Sequence, residues 1–136
     1  MKVLIAEDDP ISRRRLEKTL VAWGYDVTAA GDGVKALQAF QEEDPPPLAI
    51  LDWVMPGMDG TEVCRKIREM SDPESPYIIL LATKDFLATI IDDSKKGADD
   101  YMAKPFDCDE LRARLQHGMR VINLRRELVS KPLANL

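Results

Sequence analysis

The sequence predicts an α/β protein built on a five-stranded parallel sheet with helices on both faces. Three short apolar runs, at residues 3–6, 48–51 and 77–82, are typical of buried strands, and with two further short strands they alternate with stretches whose apolar residues recur at helical spacing. Glycine, proline and aspartate mark the turns between them. An alternation of this kind makes the strands parallel, because each right-handed crossover returns the chain to the edge where the previous strand began.

The predicted strands cover residues 3–6, 26–30, 48–52, 77–82 and 100–103. In the third strand, four apolar residues lead directly into Asp52, and the chain then turns at Pro56-Gly57 and again at Asp59-Gly60. Asp52 is therefore expected at the carboxyl end of a central strand, which is the edge where open α/β sheets bind ligands.

The predicted helices cover residues 11–23, 34–43, 61–70 and 86–96, and a fifth helix begins after residue 107. Gly24 provides a C-cap for the first helix, and the prolines at positions 45–47 end the second. Asp107 is the predicted N-cap of the fifth helix, and Glu110 completes a capping box with it. We expect the fifth helix to extend to about residue 130, just before Lys131-Pro132.

The length and composition restrict the class of protein. A chain of 136 residues fits one domain with a single core, and a net charge of −5 gives no reason to expect direct contact with nucleic acid. No apolar run approaches the roughly 18 residues of a membrane span, and the start of the chain does not resemble a signal peptide. We therefore expect no membrane contact and a cytoplasmic protein, in which Cys64 and Cys108 remain reduced.

Acidic and cationic side chains stand where the predicted strands end. Glu7 and Asp8 follow the first strand, Asp52 ends the third, Thr83 follows the fourth and Lys104 follows the fifth. Parallel strands share their C-terminal edge, so these residues should lie close together. Clustered carboxylates repel one another, a hard divalent cation such as Mg²⁺ relieves that repulsion, and Lys104 provides a further positive charge. Such a site is suited to carrying a phosphoryl group on Asp52.

Three motifs in combination resemble the receiver domain of two-component response regulators: Glu7-Asp8, the segment 52–60, and Lys104-Pro105-Phe106. The resemblance covers residues 1–118 and leaves residues 119–136 as a helical extension or linker. It implies a flavodoxin-like, doubly wound (βα)5 fold with strand order 2-1-3-4-5 and an extended C-terminal helix. It also implies a signalling domain rather than an enzyme, which catalyses only its own phosphorylation and dephosphorylation.

The resemblance further implies a role for each site residue. Asp52 accepts a phosphoryl group from a phosphohistidine on a sensor histidine kinase or a phosphotransfer protein, and Lys104 pairs with that group. Asp8 and Asp52 bind Mg²⁺ directly, Glu7 acts through a metal-bound water, and the backbone carbonyl of Val54 is a further ligand. The Lys104-Pro105 peptide bond is implied to be cis.

Two further positions carry open alternatives. Receivers place a hydroxyl at the end of the fourth strand, and alignment puts this position on Ala82, one residue before Thr83. Either Thr83 serves as the hydroxyl switch or the switch is altered, because neighbouring strand residues point to opposite faces. Tyr101 stands where the family keeps an aromatic residue whose rotamer reports phosphorylation. The alternative is a half-buried strand tyrosine.

The last helix carries two apolar stripes, one at Leu111, Leu115, Met119 and Ile122 and the other at Val121, Leu124 and Leu128. Either the helix packs along its own domain, or it forms a short parallel coiled coil in a homodimer. This tail resembles receivers fused to a diguanylate cyclase or a PP2C-type phosphatase domain. The chain is then either a stand-alone regulator or part of a longer protein.

Two competing functions share some of these features. Phosphohydrolases of the haloacid dehalogenase type also use a nucleophilic aspartate after a strand, but they place a general-acid aspartate two residues later, where this chain has Val54. A pseudo-receiver would bind partners without phosphorylation, and the intact acidic residues together with Lys104 oppose this alternative.

Overall fold

The computed structural model describes residues 1–70, 75–88 and 97–130. These residues form one parallel sheet in the order β2-β1-β3-β4-β5, which confirms the predicted flavodoxin-like topology. The strands are β1 (Lys2–Ala6), β2 (Asp26–Ala30), β3 (Leu48–Asp52), β4 (Tyr77–Thr83) and β5 (Asp100–Lys104). Each lies within two residues of its predicted bounds, because turn residues bound every run and the runs in β1, β3 and β4 are almost wholly apolar.

The helices are α1 (Pro10–Ala22), α2 (Gly33–Phe40), α3 (Gly60–Met70), α4 (Lys84–Ala88) and α5 (Cys108–Ser130). The predicted end of α2 at residue 43 is wrong. The helix ends at Phe40, where the Gln41 N–H bonds the Gln38 carbonyl, and the chain then turns so that Asp44 reaches Lys2 Nζ at 2.7 Å. The start of α4 was predicted two residues too late, and residues 89–96 of that prediction lie outside the described residues.

Two apolar layers cover the sheet, one on each face. Side chains alternate between the two faces of a strand, so even-numbered residues of β1 and odd-numbered residues of β3 face α2 and α3. The layer beneath these two helices contains Leu4, Ala6, Ala36, Ala49, Leu51, Val63 and Ile67. The opposite layer lies beneath α1 and α5 and contains Val3, Ile5, Leu16, Leu20, Ile50, Ile79 and Leu111. All five residues of β3, including Asp52, are buried, because this strand is central and covered on both faces.

Helix caps fix where several loops begin and end. Gly24, directly after the C-cap of α1, has φ of 93°, as expected of a glycine that ends a helix. Asp107 Oδ1 accepts from the backbone N–H groups of Asp109 and Glu110, which confirms its predicted role as an N-cap of α5. The Glu110 carboxylate accepts from Arg114 at 3.0 Å, so this side chain also supports the first turns of α5.

The last helix continues well past the sheet. Ile122 is buried with the core, and Arg125 reaches Asp99 at 3.4 Å, so this part of α5 packs on its own domain. Leu124 and Leu128 remain 59% and 75% exposed. Among the described residues, no helix combines the length and the apolar character that crossing a membrane requires.

Candidate functional site

The ends of three strands bring the predicted acidic and basic residues together. Ala6 pairs with Leu51 in the register of β1 and β3, so Glu7 and Asp52 follow at neighbouring positions. Lys104 is the last residue of β5. Glu7 and Asp52 are each 4% exposed, although both are acidic and both stand at the end of a strand. The predicted convergence at this edge of the sheet is present.

Lys104 contacts both buried carboxylates. Its Nζ donates to Asp52 Oδ2 at 2.8 Å and to Glu7 Oε2 at 3.2 Å. Burial opposes the charge of the ammonium, but the hydrogen bond and the negative charges of Asp52 and Glu7 outweigh it, so the pKa of Lys104 is raised. The Lys104-Pro105 peptide bond that follows is cis, as the resemblance implied.

Among the acidic residues of the site, Glu7 has the most clearly shifted pKa. Burial, a side-chain hydrogen bond with Asp52 and the negative charge of Asp52 raise the pKa of Glu7 from 4.5 to about 7, against the opposing effect of Lys104. Two carboxylates and one ammonium therefore leave a surplus of negative charge in a buried site. A divalent cation or the ammonium of a second residue would relieve it.

Asp8 adds a third carboxylate at the solvent side. Single carboxylate oxygens of Glu7, Asp8 and Asp52 all lie within 4.8 Å of one another. Hard oxygen ligands of this kind suit Mg²⁺, which keeps several waters and uses few protein carboxylates. Asp8 is exposed, so the group is open to solvent on one side. The donor set thus fits a magnesium ion.

The next acidic residue, Asp9, has a different role. Its Oδ2 accepts from the Ser12 backbone N–H at 3.0 Å and from the Ser12 hydroxyl at 2.7 Å, so Asp9 is the N-cap of α1. These hydrogen bonds lower the pKa of the Asp9 carboxyl. Arg13, one turn into α1, donates to the backbone carbonyl of Glu7 at 2.9 Å and so helps to position it. The spacing of Asp9 and Ser12 was available in the sequence as a capping signal, whereas the contact of Arg13 was not.

Two glycines let helix starts approach the loop between β3 and α3. A Cβ added at Gly60 would lie 2.5 Å from the backbone oxygen of Asp52, and one added at Gly33 would overlap with the carbonyl oxygen of Met58. Asp59 caps α3 by accepting from the Glu62 N–H at 2.9 Å. This loop therefore packs closely against both helix starts. It carries Val54, whose side chain is exposed.

The hydroxyl of Thr83 lies at the start of α4. Its Oγ1 accepts from the Phe86 backbone N–H at 3.2 Å, and Thr83 stands opposite Lys104 in the register of β4 and β5. Ala82 is buried and packs in the same layer as Trp53. The structure thus places Thr83 at the exposed end of β4 and Ala82 in the core.

An aromatic cluster borders the acidic site. The ring of Trp53, the residue after Asp52, lies 5.0 Å from the ring of Phe86 and 5.9 Å from that of Tyr101. Tyr101 is half-buried and packs against this layer of the core. No local pattern predicted the position of Phe86, because its contact with Trp53 joins α4 to the loop after β3, which lie far apart in the chain.

Comparison with known families identifies one match over most of the chain. The family model of the response regulator receiver domain matches residues 3–116. A protein of Porphyridium aerugineum, described as a probable transcriptional regulator, ycf27, is 42% identical over 122 residues. That alignment covers 90% of this chain and 49% of the relative, so the chain spans about half the length of the curated relatives it matches.

Two solved structures share the fold over most of the chain. The receiver domain of a sensor histidine kinase from Pseudomonas aeruginosa, with a magnesium ion coordinated in its active-site cleft, is 29% identical at a TM-score of 0.77. The match covers 86% of this chain and 95% of that one. A probable two-component system response regulator/GGDEF domain protein is 25% identical at a TM-score of 0.80, over 90% of this chain and 50% of that one.

Proposed function

Because the chain belongs to the response regulator receiver domain family of two-component signalling, we propose that Asp52 accepts a phosphoryl group from a phosphohistidine on a sensor histidine kinase or a phosphotransfer protein. The observation that carries this proposal is the contact of Lys104 with Asp52 at 2.8 Å, beside a second buried carboxylate. Phosphorylation would then change the surface that contacts a partner or an output domain.

Phosphoryl transfer requires little of the protein beyond positioning of the reacting groups and stabilisation of their charge. A carboxylate oxygen of Asp52 attacks the phosphorus atom, the new P–O bond forms as the P–N bond of the phosphohistidine breaks, and the imidazole nitrogen keeps the electron pair. Lys104 already contacts the acceptor carboxylate, so its positive charge lies where the phosphoryl oxygens would arrive. The site would catalyse only the phosphorylation of its own Asp52 and the later hydrolysis of that aspartyl phosphate.

Two carboxylates and one backbone carbonyl are the proposed magnesium ligands, with a third carboxylate acting through a water molecule. Asp8 and Asp52 would bind the ion directly, Glu7 through a water molecule, and Val54 through its backbone carbonyl. The close group of oxygens from Glu7, Asp8 and Asp52 supports this assignment. When bound, Mg²⁺ would offset the negative charge that the phosphoryl group brings into the site.

The proposed response to phosphorylation involves the region around α4. Thr83 holds the first turn of α4 through the Phe86 N–H, so a movement of its hydroxyl toward the phosphoryl group would loosen that turn. Trp53 contacts both Phe86 and Tyr101, so the aromatic cluster would register the same movement. Thr83 is therefore the proposed hydroxyl switch, and Tyr101 the proposed aromatic switch.

The chain is proposed to work as a receiver, residues 1–118, with residues 119–136 as an extension that leads toward a partner or an output domain. A cytoplasmic location fits phosphorylation by a kinase. The relationship to a GGDEF-containing regulator supports an output of that type as one candidate. Direct binding to nucleic acid is not proposed for this domain, since its net charge is −5.

Incubation with acetyl phosphate and Mg²⁺, followed by intact mass spectrometry, tests the proposal. We expect one phosphoryl adduct that is stable on the timescale of the measurement and is absent from Asp52→Asn. A phosphohydrolase would instead release phosphate from many substrates with no accumulated adduct, and a pseudo-receiver would show neither behaviour. Glu43→Gln, an exposed acid remote from the site, serves as the matched control.

A further inference from the structure

Arg13 connects helix α1 to the loop that carries two of the acidic residues. Its Nη1 donates to the backbone carbonyl oxygen of Glu7 at 2.9 Å, although the two residues are six positions apart in the chain. The N–H of Glu7 donates to the carbonyl oxygen of Ala30, the last residue of β2, at 3.2 Å. The backbone of Glu7 is therefore held from two sides, by the end of a strand and by a guanidinium group.

The carbonyl group that Arg13 holds belongs to the peptide unit between Glu7 and Asp8. A peptide unit is planar, so fixing its oxygen also fixes the direction in which the chain enters Asp8. Lys104 holds the carboxylates of Glu7 and Asp52 through hydrogen bonds. Asp8 is exposed, so the direction of its carboxylate depends on the backbone that carries it. Arg13 thus fixes the backbone from which the Asp8 carboxylate reaches the site.

Gly31 leaves the space that the Arg13 guanidinium group occupies. The φ of Gly31 lies outside the left-handed region, so its backbone conformation does not require a glycine. A Cβ added at Gly31 would lie 3.1 Å from Arg13 Nη1 and 3.7 Å from Arg13 Cζ. This nitrogen is the one that donates to Glu7. A methyl group at position 31 would therefore press on the donor of that hydrogen bond.

We propose that Arg13 is a positioning residue of the magnesium site, which holds the Glu7-Asp8 peptide unit so that the Asp8 carboxylate points to the ion. Arg13 would act through this peptide unit rather than by touching the ion, and its role rests on the proposed function of Asp8 as a magnesium ligand. Removal of a neighbour that orients a metal ligand typically weakens metal binding about 10–100-fold. Arg13 orients one ligand of several, so we expect an effect at the lower end of that range.

The sign of the effect separates positioning from simple electrostatics. Arg13 carries a positive charge, so its removal should by itself strengthen the binding of a nearby cation, by an amount that salt reduces. Loss of the hydrogen bond to Glu7 should instead let the Asp8 carboxylate turn away and weaken the binding. Positioning therefore predicts the opposite change in Mg²⁺ affinity from charge repulsion.

Titration of the full chain with Mg²⁺, followed by tryptophan fluorescence at constant ionic strength, tests the proposal. We expect Arg13→Met to raise the Mg²⁺ dissociation constant about tenfold, and Arg13→Lys, which keeps the charge and a donor, to recover part of the loss. Arg14→Met removes the same charge from the next, exposed position of α1 and should stay within about twofold of the wild type. Unchanged or tighter binding in Arg13→Met would overturn the proposal.

Gly31→Ala tests the same contact without removing the charge. We expect it to raise the Mg²⁺ dissociation constant about threefold in the wild type and to have no further effect in Arg13→Met, where no guanidinium group remains to be displaced. Urea denaturation of the metal-free variants shows that each is folded during the titration. Equal effects of Gly31→Ala in the two backgrounds would mean that the turn acts independently of Arg13, and the proposal would fail.

The rate of phosphorylation by acetyl phosphate separates this role from the proposed function. At saturating Mg²⁺, Arg13→Met should form the Asp52 adduct at the wild-type rate, whereas its half-maximal rate should require about tenfold more Mg²⁺. An adduct with the same Mg²⁺ dependence in both proteins would overturn the role of Arg13 alone. A wild-type chain that binds Mg²⁺ and forms no adduct would contradict the proposed function, while the shifted Mg²⁺ affinity of Arg13→Met would still support positioning.

Discussion

Lys104 Nζ lies 2.8 Å from Asp52 Oδ2, so the last residue of β5 holds the acidic residue that ends β3. The two strands are separated in the sheet by β4. The contact therefore spans a whole strand, which the long and flexible lysine side chain can do. It places one compact positive charge against a buried carboxylate, and it ties the geometry of the site to the packing of the sheet.

Replacing Lys104 with methionine should destabilise the protein at pH 8 in the absence of divalent cations. The change leaves the buried charges of Asp52 and Glu7 without their cation, and we expect a loss of about 1–3 kcal/mol in the free energy of unfolding. Urea denaturation measures it. The loss should shrink in an Asp52→Asn background, because one of the two charges is then gone. Equal losses in both backgrounds would contradict the pairing.

Glu7 should make stability depend on pH. Its pKa is about 7 in the folded protein and 4.5 ordinarily, so the folded state holds a proton that the unfolded state has lost between these values. Stability is therefore fully present below pH 4.5 and declines as the pH rises toward 7, by at most about 1.4 kcal/mol per pH unit. Denaturation of the metal-free protein across this range should show the decline in the wild type and a shallower one in Glu7→Gln. Parallel curves for the two proteins would count against the raised pKa. Glu43→Gln is the control.

Trp53 should report events at Asp52 through its fluorescence. The indole follows the acceptor in the chain and contacts Phe86 and Tyr101. We expect its emission to change when Mg²⁺ binds and again when beryllofluoride is added. A Trp23→Phe variant leaves Trp53 as the single tryptophan, since the chain has two. The Trp53→Phe variant should lose the signal, and a flat titration of Trp23→Phe would argue against a nearby site.

Thr83→Ala separates the two roles proposed for this hydroxyl. Loss of the acceptor for the Phe86 N–H should cost about 1 kcal/mol of stability, and Thr83→Ser should recover it. If the hydroxyl is also the switch, Thr83→Ala should reduce the response of Trp53 fluorescence to beryllofluoride. A full response in Thr83→Ala would remove Thr83 as the switch. Ala82→Ser, which adds a hydroxyl at the neighbouring position, would then be the variant to compare.

Gly33→Ala should disturb the loop that carries Val54. The added methyl group would overlap with the carbonyl oxygen of Met58, and backbone atoms cannot easily move aside, so we expect a loss of about 1–3 kcal/mol and weaker binding of Mg²⁺. Lys35→Ala is the matched control, because it removes an exposed side chain two residues further along α2. Urea denaturation and Mg²⁺ titration should separate the two variants. Equal stability and equal Mg²⁺ affinity of the two variants would contradict the close packing of this loop against Gly33.

The sheet could be predicted from the sequence because β1, β3 and β4 are short apolar runs in a chain where strands and helices alternate regularly. β3 is the clearest case, since burial of all five residues requires an unbroken apolar run up to Asp52. The convergence of Glu7, Asp52 and Lys104 followed from the same topology. The cis bond before Pro105 followed only from the resemblance to a family.

Other features depend on contacts that no local pattern contains. The end of α2 at Phe40 is made by a turn in which the Gln41 N–H bonds the Gln38 carbonyl, four residues before the prolines that were expected to end the helix. The direction of the Thr83 hydroxyl depends on where α4 begins, and helix starts are difficult to locate within two residues from sequence alone. The pairing of Arg125 with Asp99 joins the last helix to the loop before β5, which only the tertiary structure reveals.

We expect Asp52, and no other carboxylate of the site, to carry the phosphoryl group. Borohydride reduction after phosphorylation converts an aspartyl phosphate to homoserine, and peptide mass spectrometry then locates the converted residue. We predict homoserine at position 52 and none at position 8. Conversion at Asp8, or no conversion in a chain that has gained a phosphoryl adduct, would contradict it.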